Sequence, residues 1–247
     1  MNCILFAAGN GMRLRPLTED IQKCMLPVFG KPMLEWWLDA AFKSECFDSV
    51  YVNLHHMHAK VDSWLSMYCS KKRRKVNRID ESSRLLGTAG TLFYHAEIGK
   101  PYMTAYTDTF SEDILADGGL MRLFEEWRNS KGDALAGLVP FKSPPDDSAG
   151  RIVTDGKRNV IGFKEKASAG KGIVWSGIMF ADAAVVDMIG QTDKDLAADV
   201  LPRLCHKMIT VGFIDAYDIG RGLEHYERLR DSRTERSSQE EPGVQTA

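Results

Sequence analysis

The sequence predicts an α/β fold, a doubly wound and mainly parallel mixed sheet with helices on both faces. An apolar run at residues 3–8 stops at Gly9, which is typical of a buried strand that ends in a loop. Apolar stripes with helical spacing follow at residues 34–42, 61–68 and 120–127. Because strand-like segments alternate with these stripes, the pattern indicates βαβ units.

The first half of the chain alternates regularly between the two kinds of element. Predicted strands lie at residues 3–8, 49–54, 76–79 and 102–106, and predicted helices at about 34–42, 61–68, 89–97 and 120–127. Such an order builds a parallel sheet, since each helix returns the chain to the same edge.

In the second half of the chain, the predicted strands follow one another without regular helices between them. Strands are predicted at residues 134–139, 152–153, 160–163 and 173–180 with little helix between them, so hairpins or a mixed sheet should extend the first layer. Helices at 182–189 and 195–205, a strand at 210–216 and a helix at 222–230 complete one domain over residues 1–230. Residues 231–247 are polar and without period, which predicts a disordered tail.

Composition restricts the class of protein. A chain of 247 residues with 44% hydrophobic side chains can bury a large core, which excludes disordered and fibrous classes. The 32 basic and 34 acidic residues leave a net charge of -2, so we expect neither nucleic-acid nor membrane partners. The absence of a spanning run or a signal-like start favours a cytoplasmic protein. Five dispersed cysteines without a Cys-x-x-Cys pair indicate reduced thiols.

Two local clusters have competing interpretations. The basic run at residues 71–75 fits an RNA or polyphosphate patch, but a solvated connecting loop is favoured because no aromatic residues interleave it. His55, His56 and His58 suggest a metal site, yet consecutive residues at a strand end point to opposite faces. Core or surface histidines are therefore the favoured interpretation.

The loop after the first strand is the most informative segment. Gly9 and Gly11 expose backbone N–H groups without a Cβ, which suits close approach to phosphate. Arg13 and Lys23 add positive charge to the same loop. The Walker pattern is absent, and the dinucleotide pattern fails at Leu14, where its third glycine is required. A plain strand-to-helix turn does not account for these charges, so the loop indicates phosphate binding.

This segment resembles the signature of the sugar-1-phosphate nucleotidyltransferases. The matching residues are Ala7-Ala8-Gly9-x-Gly11-x-Arg13-Leu14-x-Pro16-Leu17-Thr18, followed by Lys23, Pro27-Val28 and Lys31-Pro32. Further motifs occur in the family's order, namely Leu86-Gly-Thr-Ala-Gly90, Asp108 at a strand end, Phe163-x-Glu165-Lys166 and Asp218-Ile-Gly220. The resemblance extends from residue 5 to residue 226.

The resemblance implies an enzyme that joins a nucleoside triphosphate and a sugar 1-phosphate into a nucleotide-diphosphate sugar and pyrophosphate. Two anions must meet, so positioning and cations would lower the barrier. Arg13 would hold the β and γ phosphates, Lys23 the α-phosphate and Lys166 the sugar phosphate.

The resemblance also implies a cofactor and two binding sets. Asp108 and Asp218 would hold Mg²⁺, a hard cation that prefers carboxylate and phosphate oxygens. The nucleotide-binding set is Ala7, Ala8, Gly9, Gly11, Gly87 and Thr88. The sugar-phosphate set is Gly150, Glu165 and Trp175.

Several residues depart from the family's usual pattern. They are Met12 for threonine or serine, Gln22 for proline, Thr107 for glycine, Trp175 for asparagine and Arg221 for threonine. None of these departures removes a charged catalytic group, but they leave the identity of the sugar substrate undetermined. The second loop and the short chain resemble the mannose- or heptose-1-phosphate guanylyltransferase branch, which uses GTP. Two alternatives are a non-catalytic regulator that binds a nucleotide sugar and a dinucleotide-binding oxidoreductase.

Overall fold

The computed structural model describes residues 1–97, 99–115, 118–142, 150–165 and 172–239, with backbone alone for 232–239. Its strands are β1 (Asn2–Phe6), β2 (Pro27–Val28), β3 (Lys31–Pro32), β4 (Ser49–Leu54), β5 (Asn77–Asp80), β6 (Tyr102–Tyr106), β7 (Thr109–Phe110), β8 (Ala136–Pro140), β9 (Arg151–Thr154), β10 (Val160–Lys164), β11 (Ile173–Ala181), β12 (Met208–Thr210) and β13 (Tyr217–Asp218). Its α-helices are α1 (Met33–Ser44), α2 (His58–Lys72), α3 (Gly87–His95), α4 (Glu112–Leu115), α5 (Gly119–Ser130) and α6 (Leu223–Gln239).

The main sheet is mixed, as predicted. Its strands follow the order β10-β9-β11-β6-β1-β4-β5, and β8 pairs with both β11 and β12. Strands β6, β1, β4 and β5 run parallel, so their carboxyl ends share one edge. Strand β11 is antiparallel to β6, β8 and β9, which confirms that the second half of the chain extends the first layer with antiparallel strands.

Helices cover both faces of this sheet. Cys3 and Leu5 of β1 point into a core that includes residues of α1, α2 and α5, whereas Ile4 and Phe6 point into a second core with residues of α3. The alternation along β1 therefore divides the core into two layers. This arrangement confirms the predicted α/β class with helices on both faces.

The predicted helices at 182–189 and 195–205 are irregular. The structure has 3-10 turns at Ala183–Met188 and Leu201–Leu204, with one π-helical segment at Leu196–Val200. Pro202 removes a backbone donor from the second segment, and the β-branched Val185 and Val186 disfavour a regular helix in the first. The predicted strand at 210–216 instead ends at Thr210, because Gly212 has a φ of 59°.

The closing helix is longer than predicted. Helix α6 continues to Gln239, so it includes residues 231–239, where a disordered tail is predicted to begin. Those nine residues contain no glycine or proline, and the first such residues after the start of α6 are Pro242 and Gly243. The rest of the predicted tail, residues 240–247, lies outside the described residues.

The basic run closes α2. Lys71 and Lys72 lie in the last turn of that helix, where positive charge suits the helix dipole. Lys72 pairs with Asp39, and the Arg74 guanidinium lies 5.3 Å from the centre of the Phe42 ring. Along the described ranges, no helix is long and apolar enough to cross a membrane.

Candidate active site

Two adjoining cavities lie beyond the carboxyl ends of β1, β4 and β6. The glycine-loop cavity, about 270 Å³, is lined by Ala7, Ala8, Gly9, Lys23, Gly87 and Thr88 among other residues. The acidic cavity, about 240 Å³, is lined by Gly150, Glu165, Trp175 and Asp218 among others. Tyr106, Asp108 and Asp195 line both cavities and form a shared wall. Five of the six predicted nucleotide residues therefore line one cavity, and the three predicted sugar-phosphate residues line its neighbour.

Asn53 holds the first loop at the end of β1. Its Oδ1 accepts hydrogen bonds from the backbone N–H groups of Ala7 and Ala8, at 2.7 and 3.2 Å. These two amides are therefore already engaged within the protein. Ala7 and Ala8 line the cavity, but their N–H groups are not free for a phosphate.

Gln22 ties the same loop to the turn that carries Lys23. The buried Gln22 side chain donates from Nε2 to the carbonyl oxygens of Ala7 and Gly9, at 2.6 and 3.0 Å. Its Oε1 accepts from the Cys24 N–H at 2.6 Å. A proline at this position makes none of these bonds, so the departure from the family pattern has a structural role here.

Gly11 and Arg13 belong to the loop that follows β1. Gly11 has a φ of 65°, and a Cβ there would lie 2.8 Å from Thr18 Cγ2 and 3.2 Å from Lys23 Cβ, so this glycine permits the loop to fold. Arg13 is exposed on the 3-10 turn Met12–Leu14. Neither residue appears among the described residues that line the two cavities.

The second glycine loop packs against the segment around residue 194. Gly87 has a φ of 77°, and a Cβ there would collide with the Lys194 carbonyl oxygen. The Thr88 hydroxyl accepts a hydrogen bond from the Leu196 N–H at 2.8 Å, and Ala89 N–H donates to Lys194 O at 3.0 Å. Gly87 and Thr88 line the glycine-loop cavity.

Lys23, Asp108 and Asp218 converge beside Gly220. Lys23 Nζ forms an ion pair with Asp108 Oδ2. A Cβ on Gly220 would lie closer than 3.0 Å to Lys23 Nζ, Asp108 Oδ2 and Asp218 Oδ1 alike. The Gly220 N–H donates to Asp218 Oδ1 at 2.8 Å. The absence of a side chain at Gly220 therefore leaves room for this charged cluster.

A short strand pair brings the two aspartates together. Strands β7 and β13 are antiparallel, with Asp218 opposite Thr109, and the Ile219 N–H donates to Asp108 O at 3.0 Å. The aspartates are 110 positions apart in the sequence. Their proximity thus follows from a pairing of only two residues on each strand.

The cluster is electrostatically strained. Burial and the charge of Asp108 raise the pKa of Asp218 to about 6, although Lys23 and Arg221 oppose this shift. Arg221 Nε lies 3.4 Å from Asp218 Oδ2, and the Arg221 side chain is 4% exposed. Arg221 therefore adds a buried positive charge where the resembled family usually has threonine.

The donor set fits a hard cation. The negative charge of Asp108 and burial make the ionised form of Asp218 costly, and a shared positive ion would relieve that cost. Mg²⁺ usually takes one or two carboxylates plus phosphate and water oxygens. Over the described parts of the chain, no group of three or more His, Cys, Asp and Glu side chains could hold a metal. His55 Nδ1 lies 2.8 Å from the backbone oxygen of Glu81.

Aromatic residues shape the acidic cavity. The Trp175 indole is buried, donates from Nε1 to Ile178 O at 2.8 Å, and meets Phe163 and Tyr106 edge to face. Trp175 thus forms a rigid wall, and its only side-chain donor is already used. A Cβ on Gly150 would lie 2.5 Å from Phe163 Cζ, so this glycine is required by close packing.

Lys166, the residue predicted to hold the sugar phosphate, lies outside the described residues.

Sequence reasoning missed Asn53, Glu81 and Thr91. These three side chains form a buried network behind the two glycine loops. Asn53 lies near the end of β4, and the carboxyl ends of parallel strands converge, so its position offered a signal. The sequence gives no such signal for Glu81 and Thr91, because their contacts depend on how the second loop folds.

Residues 2–226 match the nucleotidyl transferase family, and the chain belongs to it. This membership replaces the oxidoreductase alternative. The chain is 28% identical over 252 residues to a UTP–glucose-1-phosphate uridylyltransferase of Synechocystis, covering 93% of the chain and 63% of that protein. It is 25% identical to the D-glycero-α-D-manno-heptose 1-phosphate guanylyltransferase of Aneurinibacillus thermoaerophilus, covering 90% and 94%. The crystal structure of HddC from Yersinia pseudotuberculosis has the same fold, with a TM-score of 0.72, 20% identity and coverage of 94% and 99%.

Proposed function

We propose that the chain is a Mg²⁺-dependent sugar-1-phosphate nucleotidyltransferase. The observation that carries this proposal is the convergence of Lys23, Asp108 and Asp218 where the two cavities adjoin. The glycine-loop cavity would take the nucleoside triphosphate and the acidic cavity the sugar 1-phosphate. In that arrangement the shared wall would bring the reacting phosphates beside the charged cluster.

The reaction joins two anions without a covalent enzyme intermediate. A phosphate oxygen of the sugar 1-phosphate attacks the α-phosphorus, a new P–O bond forms, and the bond from the α-phosphorus to the bridging oxygen breaks as pyrophosphate leaves. Lys23 would offset charge on the α-phosphate, and Lys166 would hold the sugar phosphate. Arg13, exposed on the first loop, would reach the β and γ phosphates.

The acidic side chains have a separate role. Asp108 and Asp218 would hold Mg²⁺, which supplies positive charge to the phosphates when it is bound. Lys23 and Arg221 balance the two carboxylates in the structure described here. Lys23 would exchange its contact with Asp108 for phosphate oxygens as the triphosphate enters.

For the nucleotide and the sugar, we propose GTP with a mannose- or heptose-1-phosphate. Similarity to the heptose 1-phosphate guanylyltransferase, and to mannose-1-phosphate guanylyltransferase 1 of Arabidopsis thaliana, supports the guanylyl branch. The higher identity of the uridylyltransferase favours UTP with glucose 1-phosphate as the second candidate. Retention of Lys23, Asp108 and Asp218 argues against a regulator without activity.

A substrate matrix tests these assignments. Five triphosphates are combined with glucose, mannose and heptose 1-phosphates in the presence of MgCl₂, and pyrophosphate release is measured. We expect the fastest release with GTP and mannose or heptose 1-phosphate. Release with UTP and glucose 1-phosphate alone would instead favour the second candidate, a uridylyltransferase. Binding of nucleotide sugars without release in any combination would support the regulator instead.

A further inference from the structure

The two glycine loops are joined from behind by buried polar side chains. Asn53, which accepts from the amides of Ala7 and Ala8, donates from Nδ2 to Glu81 Oε1 at 3.1 Å and to Thr91 Oγ1 at 3.3 Å. All four of these hydrogen bonds of the Asn53 side chain are therefore made to protein partners. Asn53 thus fixes the amide side of the first loop, whose carbonyl oxygens are held by Gln22.

Glu81 is the centre of the network. It is 1% exposed, and its Oε1 accepts from both Asn53 Nδ2 and the Thr91 hydroxyl. Its Oε2 accepts from the Leu86 N–H at 3.1 Å, the residue just before the second glycine loop. A buried carboxylate is costly unless donors satisfy it, and these three donors supply that compensation.

We propose that Glu81 is a positioning residue that fixes the distance between the two loops of the nucleotide site. It reaches the first loop through Asn53 and the second through Leu86, and it is not among the described residues that line either cavity. This inference rests on the proposed function, because it assumes that both loops contact the triphosphate.

The effect should fall on triphosphate binding. Lys23, Asp108 and Asp218 are held separately, by Gln22 and by the pairing of β7 with β13. A loosened Glu81 network would therefore leave the charged cluster in place. The cost of ordering the two loops would instead be subtracted from binding, since preorganisation raises affinity mainly by removing such costs.

Glu81→Gln is the informative substitution. It keeps the size of the side chain but leaves one acceptor oxygen and adds an amide donor, so the three donors cannot all be satisfied. We expect about a tenfold rise in KM and in the dissociation constant for the triphosphate, a kcat within about twofold, and an unchanged KM for the sugar phosphate. Asp80→Asn is the control, because Asp80 is the exposed neighbour whose Oδ1 accepts from Ser82 N–H.

Direct titration with a fluorescent triphosphate analogue separates the two proposals. Unchanged affinity in Glu81→Gln, or an equal loss for triphosphate and sugar phosphate, would overturn the role of Glu81. If Glu81→Gln does not fold, Thr91→Val, which removes one donor, is expected to show a smaller rise of the same kind. If the unaltered chain binds triphosphate but releases no pyrophosphate, the proposed function fails while the titration still decides the role of Glu81. No triphosphate binding at all would overturn both.

Discussion

Gly220→Ala should separate catalysis from stability. The added Cβ would lie closer than 3.0 Å to Lys23 Nζ, Asp108 Oδ2 and Asp218 Oδ1. Moving Asp218 Oδ1 from 2.9 Å to an ordinary contact of 3.4 Å requires a shift of about 0.5 Å, and the other two atoms must move further. All three displaced atoms belong to the groups assigned to the metal and the α-phosphate.

The expected loss is large because misplacement of about 1 Å costs roughly 100-fold in rate. We therefore expect pyrophosphate release to fall about 100-fold in Gly220→Ala, with a melting temperature close to that of the unaltered chain. Gly220 does not have a positive φ, and the atoms that move are the ends of side chains, so the fold should tolerate the methyl group.

Steady-state pyrophosphate release and thermal unfolding are measured on the same samples. Gly162→Ala is the matched control, since a Cβ there would meet Val153 only at ordinary distances of 3.5 and 3.7 Å. We expect the control to keep its activity. Full activity in Gly220→Ala would refute the argument that these three groups must stay where the structure has them.

Four further predictions concern the charged groups. Lys23→Ala should reduce turnover by orders of magnitude while the melting temperature is kept, and retained turnover would remove Lys23 from the reaction. Lys166→Ala should raise KM for the sugar phosphate far more than KM for the triphosphate, and equal rises would indicate a structural role. Excess chelator should abolish turnover and MgCl₂ restore it, whereas full activity in chelator would exclude a role for the metal at Asp108 and Asp218. Because the folded-state pKa of Asp218 is raised from 3.8 to about 6, the free energy of unfolding without metal should fall as pH rises from about 4 to 6. Asp218→Asn should remove this pH dependence and raise the free energy of unfolding above pH 6 by up to about 3 kcal/mol. Unfolding in chelator measures both effects, and Asp215→Asn, at an exposed carboxylate, is the control.

The periodic parts of the fold could be predicted from the sequence. Helices α1, α2 and α5 have apolar stripes, and the buried strands of the parallel sheet are apolar runs, so local spacing is enough to identify them. The two-residue strands β7 and β13 have no such period. For this reason the meeting of Asp108 and Asp218 could be expected only from the family resemblance.

The candidate site was predictable in part for a similar reason. Glycines that need a positive φ, such as Gly87, stand out in a sequence, and their loops were found. Buried polar contacts do not stand out, because the partners of Glu81 and Gln22 are set by how loops from different strands pack. Gly11 also stands out in the sequence, but it serves the fold of the loop and is not among the described residues that line the glycine-loop cavity.

If the two cavities take the nucleotide and the sugar phosphate as proposed, their shared wall limits how substrate preference can diverge. Tyr106 and Asp195 line both spaces, so a substitution at either should alter the choice of nucleotide and of sugar together. Trp175 lines the acidic cavity alone. An engineer, or an evolving lineage, that seeks a new sugar without a new base would therefore have to begin on the Trp175 side of the pocket.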